Sequence, residues 1–191
     1  MHKIYINPMS WIALALALLI VPIPILTAWM VAALVHECCH MLAIKLCRGQ
    51  IQSIEIGISG ARITTGYLSN KQEFFCALAG PLGGFSLLIF AKMFPLLAFF
   101  GFLQSLYNLI PLSNYDGGRI LRCAFIKLFG TEKSLYYYEN IQKVVKSIVL
   151  GGVLWCALEL KIYWIIFIII LRLYLKIFLA KRSNTQYNRY N

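Results

Sequence analysis

The segment around residue 36 carries the residue types best suited to chemistry in this chain. It reads His36-Glu37-Cys38-Cys39-His40 and lies inside an apolar run. On a helix, the two histidines are one turn apart on the same face, so both imidazoles can bind one metal ion. Glu37 lies beside them, where its carboxylate can take a proton from a water molecule at the ion. The alternative is a pair of core histidines bonded to neighbouring helices, but polar groups at membrane depth are costly and usually functional.

The composition indicates a chain that crosses a membrane several times. Of 191 residues, 60% are hydrophobic and 13% are charged, and the mean hydropathy is +0.73, which is unusual for a soluble globular domain. A net charge of +11 would suggest a nucleic-acid partner for a soluble protein, but here the basic residues lie in short loops between apolar runs. We therefore expect no nucleic-acid partner and expect contact with the anionic headgroups of a lipid bilayer.

Six apolar runs are predicted to be transmembrane helices. They cover residues 9–21, 27–46, 74–94, 96–112, 144–158 and 163–179. Between the second and third runs, isoleucines alternate with small or polar residues over 54–59, which predicts a strand, and residues 62–67 can return after Gly60 as a second. This hairpin is either a plain surface element or an exposed edge that binds an extended substrate segment.

The predicted fold is therefore an all-α polytopic membrane protein of about six transmembrane helices, with a short membrane-associated β-hairpin between helices 2 and 3. No internal repeat is apparent, and the length suggests one domain over residues 1–191.

The distribution of lysine and arginine predicts the orientation of the helices. With six spans and a cytoplasmic N-terminus, every lysine and arginine except Lys92 and Lys161 falls on the cytoplasmic side. This topology places His36 and His40 in the cytoplasmic half of the second span and Asp116 at the cytoplasmic end of the fourth. We expect both termini and the active site of this multi-pass membrane protein to face the cytoplasm.

Asp116 is the candidate third metal ligand. A catalytic zinc usually has three protein ligands and an open position for water. Asp116 is the only aspartate in the chain, follows a helix break at Pro111, and precedes Gly117-Gly118. An aspartate before two glycines is also common in turns. Its depth in the predicted topology and the need for a third ligand favour coordination.

A metal ion at these residues would support hydrolysis of a peptide bond. The ion would lower the pKa of water toward about 7 and polarise the scissile carbonyl, and Glu37 would pass the proton to the leaving amine. Asn108 can hydrogen-bond either the loop that follows it or an extended substrate, and both alternatives stay open. The Gly80-Pro81 stretch can serve helix packing or shape the site. Cys39 fits packing better than a role as fourth ligand or redox group.

These motifs resemble those of the site-2 protease family of intramembrane zinc metalloproteases. The matching segments are His36-Glu37-x-x-His40, Gly80-Pro81 and Asn108-x-x-Pro111-x-x-x-x-Asp116-Gly117. The resemblance implies that Zn²⁺ is bound by His36, His40 and Asp116, and that Glu37 is the general base. It also implies that Asn108 and Pro111 shape the substrate-binding cleft.

Within that family, the opening Ile6-Asn7-Pro8-Met9-Ser10-Trp11 and the six-span layout resemble the sporulation proteases, which cleave a membrane-tethered sigma-factor precursor. The implied partners are such a precursor, the bilayer and inhibitory membrane proteins. The longer sporulation members carry a soluble C-terminal nucleotide-sensing domain, and we expect this chain to have no such regulatory domain.

Three hypotheses about function follow from these residues. The leading one is a zinc metalloendopeptidase that cuts a membrane-associated protein near the cytoplasmic face. The alternative is a catalytically inactive relative that binds membrane proteins, but such a protein has no need of Glu37. A zinc transporter would require polar residues along a path across the membrane, whereas the fifth and sixth spans offer only Cys156.

Overall fold

Helices make up most of the structure, which is a computed structural model describing residues 3–57 and 60–160. In chain order the elements are β1 (Lys3–Ile6), α1 (Pro8–Ile20), α2 (Ile23–Leu46), β2 (Ile51–Gly57), β3 (Gly60–Thr65), α3 (Asn70–Ser86), a 3₁₀ helix (Leu87–Phe90), α4 (Pro95–Asn108) and α5 (Asp116–Leu160). The chain divides into two compact units. Met1–Gln142 holds the candidate site, and Lys143–Asn191 is described as far as Leu160, where it is helical.

The first two helices form as the proline positions indicate. Asn7 caps α1, because its side-chain Oδ1 accepts a hydrogen bond of 3.0 Å from the backbone N–H of Met9. Helix α2 begins at Ile23, four residues before the predicted start of the second span. Pro24 lies in its first turn, where the missing backbone N–H has no intrahelical partner to lose.

The predicted hairpin forms as part of a three-stranded mixed sheet. Strands β2 and β3 pair antiparallel, with Ile54 opposite Ile63, as the alternation of residue types predicts. The prediction is incomplete in one respect, because β1 pairs parallel to β2, with Tyr5 opposite Glu55. A strand of four residues is too short to show a periodicity, and its partner lies about fifty residues away in sequence, so neither local pattern nor turn chemistry reveals it.

Two helical stretches among the described residues are long and apolar enough to cross a membrane, Ile23–Leu46 and Asn70–Phe90. Helix α1 is apolar but shorter. The predicted fourth span is also shorter than expected, because α4 ends at Asn108, ahead of Pro111. The predicted fifth span falls within α5, and the sixth, 163–179, lies outside the described residues. The count of six spans therefore stays a prediction.

Helices α2, α3 and α4 pack together around the candidate site. Glycine permits the contact between α3 and α4, since a Cβ atom on Gly84 would lie 2.2 Å from Ser105 Oγ and 2.8 Å from the Gly101 carbonyl oxygen. The buried Ser105 hydroxyl donates to the Pro81 carbonyl oxygen at 2.9 Å. Apolar side chains such as Leu19 and Ile89 point outward, as a lipid-facing surface requires.

Candidate active site

Helix α2 places the two imidazoles of the predicted motif side by side. His36 and His40 are 4% and 7% exposed, and their Nε2 atoms lie 3.1 Å apart. Asp116, at the start of α5, brings its Oδ2 atom to 3.1 Å from His36 Nε2 and 3.0 Å from His40 Nε2. Three potential metal-binding atoms from two distant parts of the chain thus form one small triangle.

The chemistry of this triangle suits a metal cation. His40 Nδ1 lies 2.7 Å from the carbonyl oxygen of Cys76, so Nδ1 carries a proton that it donates there. In neutral His40, Nε2 then presents a lone pair to the Asp116 carboxylate and to His36 Nε2. The electron pairs on these atoms repel one another, and a cation bound between the atoms removes this repulsion. A tetrahedral zinc holds nitrogen and oxygen ligands about 3.3 Å apart, close to the spacing observed here, so the residues fit the ion.

Helix α3 approaches both imidazoles through Gly80. A Cβ atom on Gly80 would lie 2.2 Å from His40 Nε2 and 2.8 Å from His36 Cε1. No side chain fits at this position without displacing the rings. The preceding turn of α3 supplies the Cys76 carbonyl that orients His40. Glycine at position 80 therefore allows one helix both to orient a histidine and to pack against the pair.

Glu37 lies between the metal triangle and the sheet. It is half-buried on α2, and its carboxylate interacts electrostatically with both imidazoles and with Asp116. The backbone N–H of Ala61 in β3 donates a hydrogen bond to this carboxylate. The strand that follows the predicted turn thus contacts the candidate general base directly.

The loop between α4 and α5 sets the position of Asp116. A Cβ atom on Gly117 would lie 2.1 Å from the Leu109 carbonyl oxygen, and one on Gly118 would lie 2.0 Å from that of Leu112. The two glycines after Asp116 therefore let the first turn of α5 lie directly against the loop backbone. This close contact accounts for Gly117-Gly118 better than an isolated turn does.

An ion-pair network contacts the other oxygen of the Asp116 carboxylate. Arg119 Nη1 lies 3.6 Å from Asp116 Oδ1, and its Nε lies 3.7 Å from Glu73 Oε1. Glu73, in the first turn of α3, also accepts a hydrogen bond of 2.6 Å from Arg122. The network links the start of α5 to the start of α3.

The sequence model of the Peptidase M50B-like family matches residues 9–110, just over half of the chain. The chain belongs to this family. Stage IV sporulation protein FB of Bacillus subtilis (strain 168) is 27% identical in an alignment 146 residues long that covers 69% of this chain and 51% of that protein. The chain thus spans about half the length of this curated relative. The resemblance to the site-2 protease family drawn from the motifs is confirmed.

The fold of this Peptidase M50B-like chain is also that of a solved site-2 protease. It superposes on the Site-2 Protease from Methanocaldococcus jannaschii with a TM-score of 0.61 and 24% identity, over 86% of this chain and 84% of the other. Membership of the family supports a peptidase, and the solved structure supports the fold. The roles of individual residues rest on the geometry above.

The structure places Asn108 at the end of α4 and Pro111 in the loop before α5, and neither belongs to the metal triangle. The Asn108 amide nitrogen donates to the Gln104 carbonyl oxygen within α4 at 3.1 Å, so it bonds its own helix and not the loop. The Pro111 carbonyl oxygen accepts a hydrogen bond of 2.6 Å from Gln142. Binding of substrate by Asn108 and Pro111 stays a prediction.

Cys39 packs against α3, as its position on the helix predicts. A Cβ atom on Gly83 would lie 2.3 Å from Cys39 Sγ. Within the described residues, the metal-binding cluster comprises His36, His40 and Asp116 and does not include this thiol. The two interpretations of the glycine-rich stretch both hold, because Gly80 shapes the site whereas Gly83 and Gly84 serve packing.

Gly83→Ala is expected to destabilise the protein by about 1–3 kcal/mol, because the added methyl group overlaps the Cys39 side chain and forces it out of its packed position. The measurement is thermal unfolding in detergent. Gly151→Ala is the matched control, since this helical position has nothing within 4 Å of an added Cβ and gains only the helix propensity of alanine. Equal unfolding temperatures for the two variants would contradict the tight packing of Cys39 on Gly83.

Two contributors to the site could not be recognised from the sequence. Ala61 acts through its backbone N–H, which no side-chain pattern reveals. Gln142 lies far beyond Asp116 in an amphipathic segment, where a glutamine is unremarkable. The capping box of α3, Ser69 with Gln72, does have a sequence signature and explains why α3 begins before the predicted third span.

Proposed function

We propose that this chain is an intramembrane zinc endopeptidase that hydrolyses a peptide bond of a membrane-associated protein near the cytoplasmic face. The observation that carries the proposal is the triangle of His36 Nε2, His40 Nε2 and Asp116 Oδ2, with sides of 3.0–3.1 Å. The triangle lies among apolar helices, and a carboxylate stands beside it. Membership of the Peptidase M50B-like family supports the same conclusion.

The chain's own residues divide the work of hydrolysis among them. His36, His40 and Asp116 would hold a zinc ion, which would supply Lewis-acid polarisation of a carbonyl and of a water molecule. Glu37 accepts the proton of the attacking water and delivers it to the leaving amine. The Ala61 N–H holds the Glu37 carboxylate in place, and the Cys76 carbonyl fixes the ring orientation of His40.

Strand β3 offers a way to present the substrate. It pairs with β2 on one side, and no other strand among residues 3–57 and 60–160 pairs with its outer edge. Because Ala61 of β3 contacts Glu37, an extended segment added along this edge would lie next to the general base. A helical substrate would have to unwind first, since its peptide bonds are engaged in internal hydrogen bonds.

The proposed substrate is a membrane-tethered sigma-factor precursor, cut from the cytoplasmic side. The similarity to Stage IV sporulation protein FB supports this choice, as does the resemblance of the N-terminal motif. The excess of lysine and arginine on one side of the predicted spans supports the orientation. Inhibitory membrane proteins are the proposed regulatory partners.

Glu37→Gln is expected to lower the rate of cleavage by about 10²–10⁴-fold while zinc stays bound, because the amide cannot accept the proton. The test is co-expression with a candidate sigma-factor precursor, followed by detection of the shortened product and measurement of zinc in the purified protein. Glu132→Gln, at an exposed position, is the matched control and should cleave as the wild type does.

Equal cleavage by the wild type and Glu37→Gln would refute the catalytic role of Glu37. Absence of cleavage by zinc-loaded wild type would refute the assignment of that precursor as substrate. Stable association with the precursor, again without cleavage, would instead support an inactive binding relative.

A further inference from the structure

Gln142 makes a two-point contact with the backbone of the loop that leads into Asp116. Its side chain is almost fully buried, at 5% exposure. The amide nitrogen Nε2 donates to the Pro111 carbonyl oxygen at 2.6 Å, and Oε1 accepts from the Ser113 N–H at 2.9 Å. Both polar ends of one side chain are thus used on one short stretch of backbone.

This contact replaces the partner that a neighbouring strand would provide. In a parallel sheet, one residue bonds the carbonyl and the N–H on either side of the facing residue, and Gln142 does the same around Leu112. The loop adds two backbone bonds of its own, Leu112 N–H to the Ile110 carbonyl at 2.7 Å and Tyr115 N–H to the Leu112 carbonyl at 2.9 Å. Loss of Gln142 would leave a donor and an acceptor of this backbone without their partner.

The position of the loop backbone determines the position of Asp116. Ser113 is only three residues before Asp116, and Gly117 and Gly118 lie directly against the Leu109 and Leu112 carbonyl oxygens. A shift of the loop backbone therefore moves the first turn of α5 and the carboxylate on it. The Oδ2 atom has little freedom, because it must stay near both imidazole Nε2 atoms at once.

We propose that Gln142 is a positioning residue that fixes the 111–113 loop, so that the Asp116 carboxylate stays within reach of His36 and His40. This inference rests on the proposed zinc site. Gln142 itself contacts neither the ligands nor the reacting atoms. It acts through the loop, as residues that orient metal ligands do, and loss of such residues typically weakens metal affinity or activity by 10–100-fold.

The path of the chain gives Gln142 access to this loop. A straight helix from Asp116 to Gln142 would be about 39 Å long, yet Gln142 bonds a residue three positions before Asp116. The chain therefore turns back within this stretch. Gly130, with φ 76° and ψ 170°, is where its backbone leaves helical geometry, and the segment after Gly130 carries Gln142 to the loop.

The test compares Gln142→Leu with Gln72→Leu in the full-length protein in detergent. Gln72 is a matched control, because its side chain also makes two hydrogen bonds to backbone, donating to the Cys47 carbonyl at 2.9 Å and accepting from the Ser69 N–H at 2.8 Å. Zinc affinity is measured by competition with a chelator. Hydrogen exchange of residues 110–116 is followed by mass spectrometry.

Gln142→Leu is expected to bind zinc about tenfold more weakly and to exchange the loop amides faster than the wild type. In a cleavage assay, kcat should fall while KM is unchanged. Gln72→Leu should lose similar thermal stability but keep zinc affinity and slow loop exchange. Gln142→Glu retains the acceptor for the Ser113 N–H but places a carboxylate oxygen against the Pro111 carbonyl oxygen, so its zinc affinity should also fall below that of the wild type.

Several results would overturn the inference. Unchanged zinc affinity in Gln142→Leu would remove the positioning role, and so would an equal loss in Gln72→Leu, which would indicate general destabilisation. If wild-type protein binds no zinc, the zinc site itself fails, and the role of Gln142 fails with it. If wild type binds zinc but cleaves no precursor, the choice of substrate fails, and the zinc affinity and loop exchange still decide the role of Gln142.

Discussion

Gly80→Ala is expected to abolish zinc binding and reduce cleavage to background. The added Cβ would lie 2.2 Å from His40 Nε2 and 2.5 Å from His40 Cε1, and also 2.8 Å from His36 Cε1. Neither ring has room to withdraw. His40 is tied to the Cys76 carbonyl, and both rings are almost fully buried. The methyl group would therefore separate the two Nε2 atoms or drive α3 away from α2.

The measurement is zinc per protein in the purified variant, together with cleavage of a co-expressed precursor. Gly83→Ala is the control within the same helix, since its methyl group meets Cys39 and no ligand. It should lose stability and keep zinc. Full zinc occupancy in Gly80→Ala would show that the helices tolerate a side chain there. The close packing of Gly80 on the imidazoles would then not be required for zinc binding.

Asp116→Ala is expected to weaken zinc binding by more than about 100-fold, because losing a ligand costs more than losing a residue that orients one. Two imidazoles remain in this variant, and two ligands from one helix turn do not complete a catalytic zinc site. Cleavage should fall to background at limiting zinc. Chelator competition measures the affinity, and thermal unfolding checks that the variant folds.

Two further variants sharpen this experiment. Asp116→Asn retains the size of the side chain and removes its charge, so it should also bind zinc weakly. Glu132→Ala removes an exposed carboxylate and should bind zinc as the wild type does. Unchanged zinc stoichiometry and affinity in Asp116→Ala would remove Asp116 from the site and return it to the role of a turn residue.

The parts of the site that could be predicted are those with a local or a topological signature. The two histidines share a helical face whatever surrounds them, so spacing alone brings their rings together. Asp116 could be added because the positive-inside rule places it at the same depth as the histidines, and the structure does bring Oδ2 to 3.0–3.1 Å from both rings. The alternation of isoleucines in β2 likewise predicts a strand, because this pattern is local and does not depend on how the helices pack.

The parts that could not be predicted depend on tertiary contacts. The sequence leaves open whether Gly80 serves helix packing or shapes the site, and only the placement of α3 against α2 decides between the two. Hydropathy measures how apolar a run is and does not indicate where its helix ends. It therefore could not predict that α4 ends at Asn108 or that α3 passes into a 3₁₀ helix at Leu87. Strand β1 and the contact of Gln142 join residues distant in sequence, and no pattern within either segment specifies its partner.

The bend at Gly130 has a consequence for the order in which the site is assembled during synthesis. All three proposed ligands and the general base have been synthesised once Asp116 is made, but the residue that holds the Asp116 loop comes later, at position 142. A nascent chain that ends between residues 116 and 142 contains all the proposed ligands, but its 111–113 loop lacks the hydrogen bonds from Gln142. The proposed metal centre would thus reach its final geometry only after the polypeptide has turned back at Gly130, when synthesis is well past Asp116.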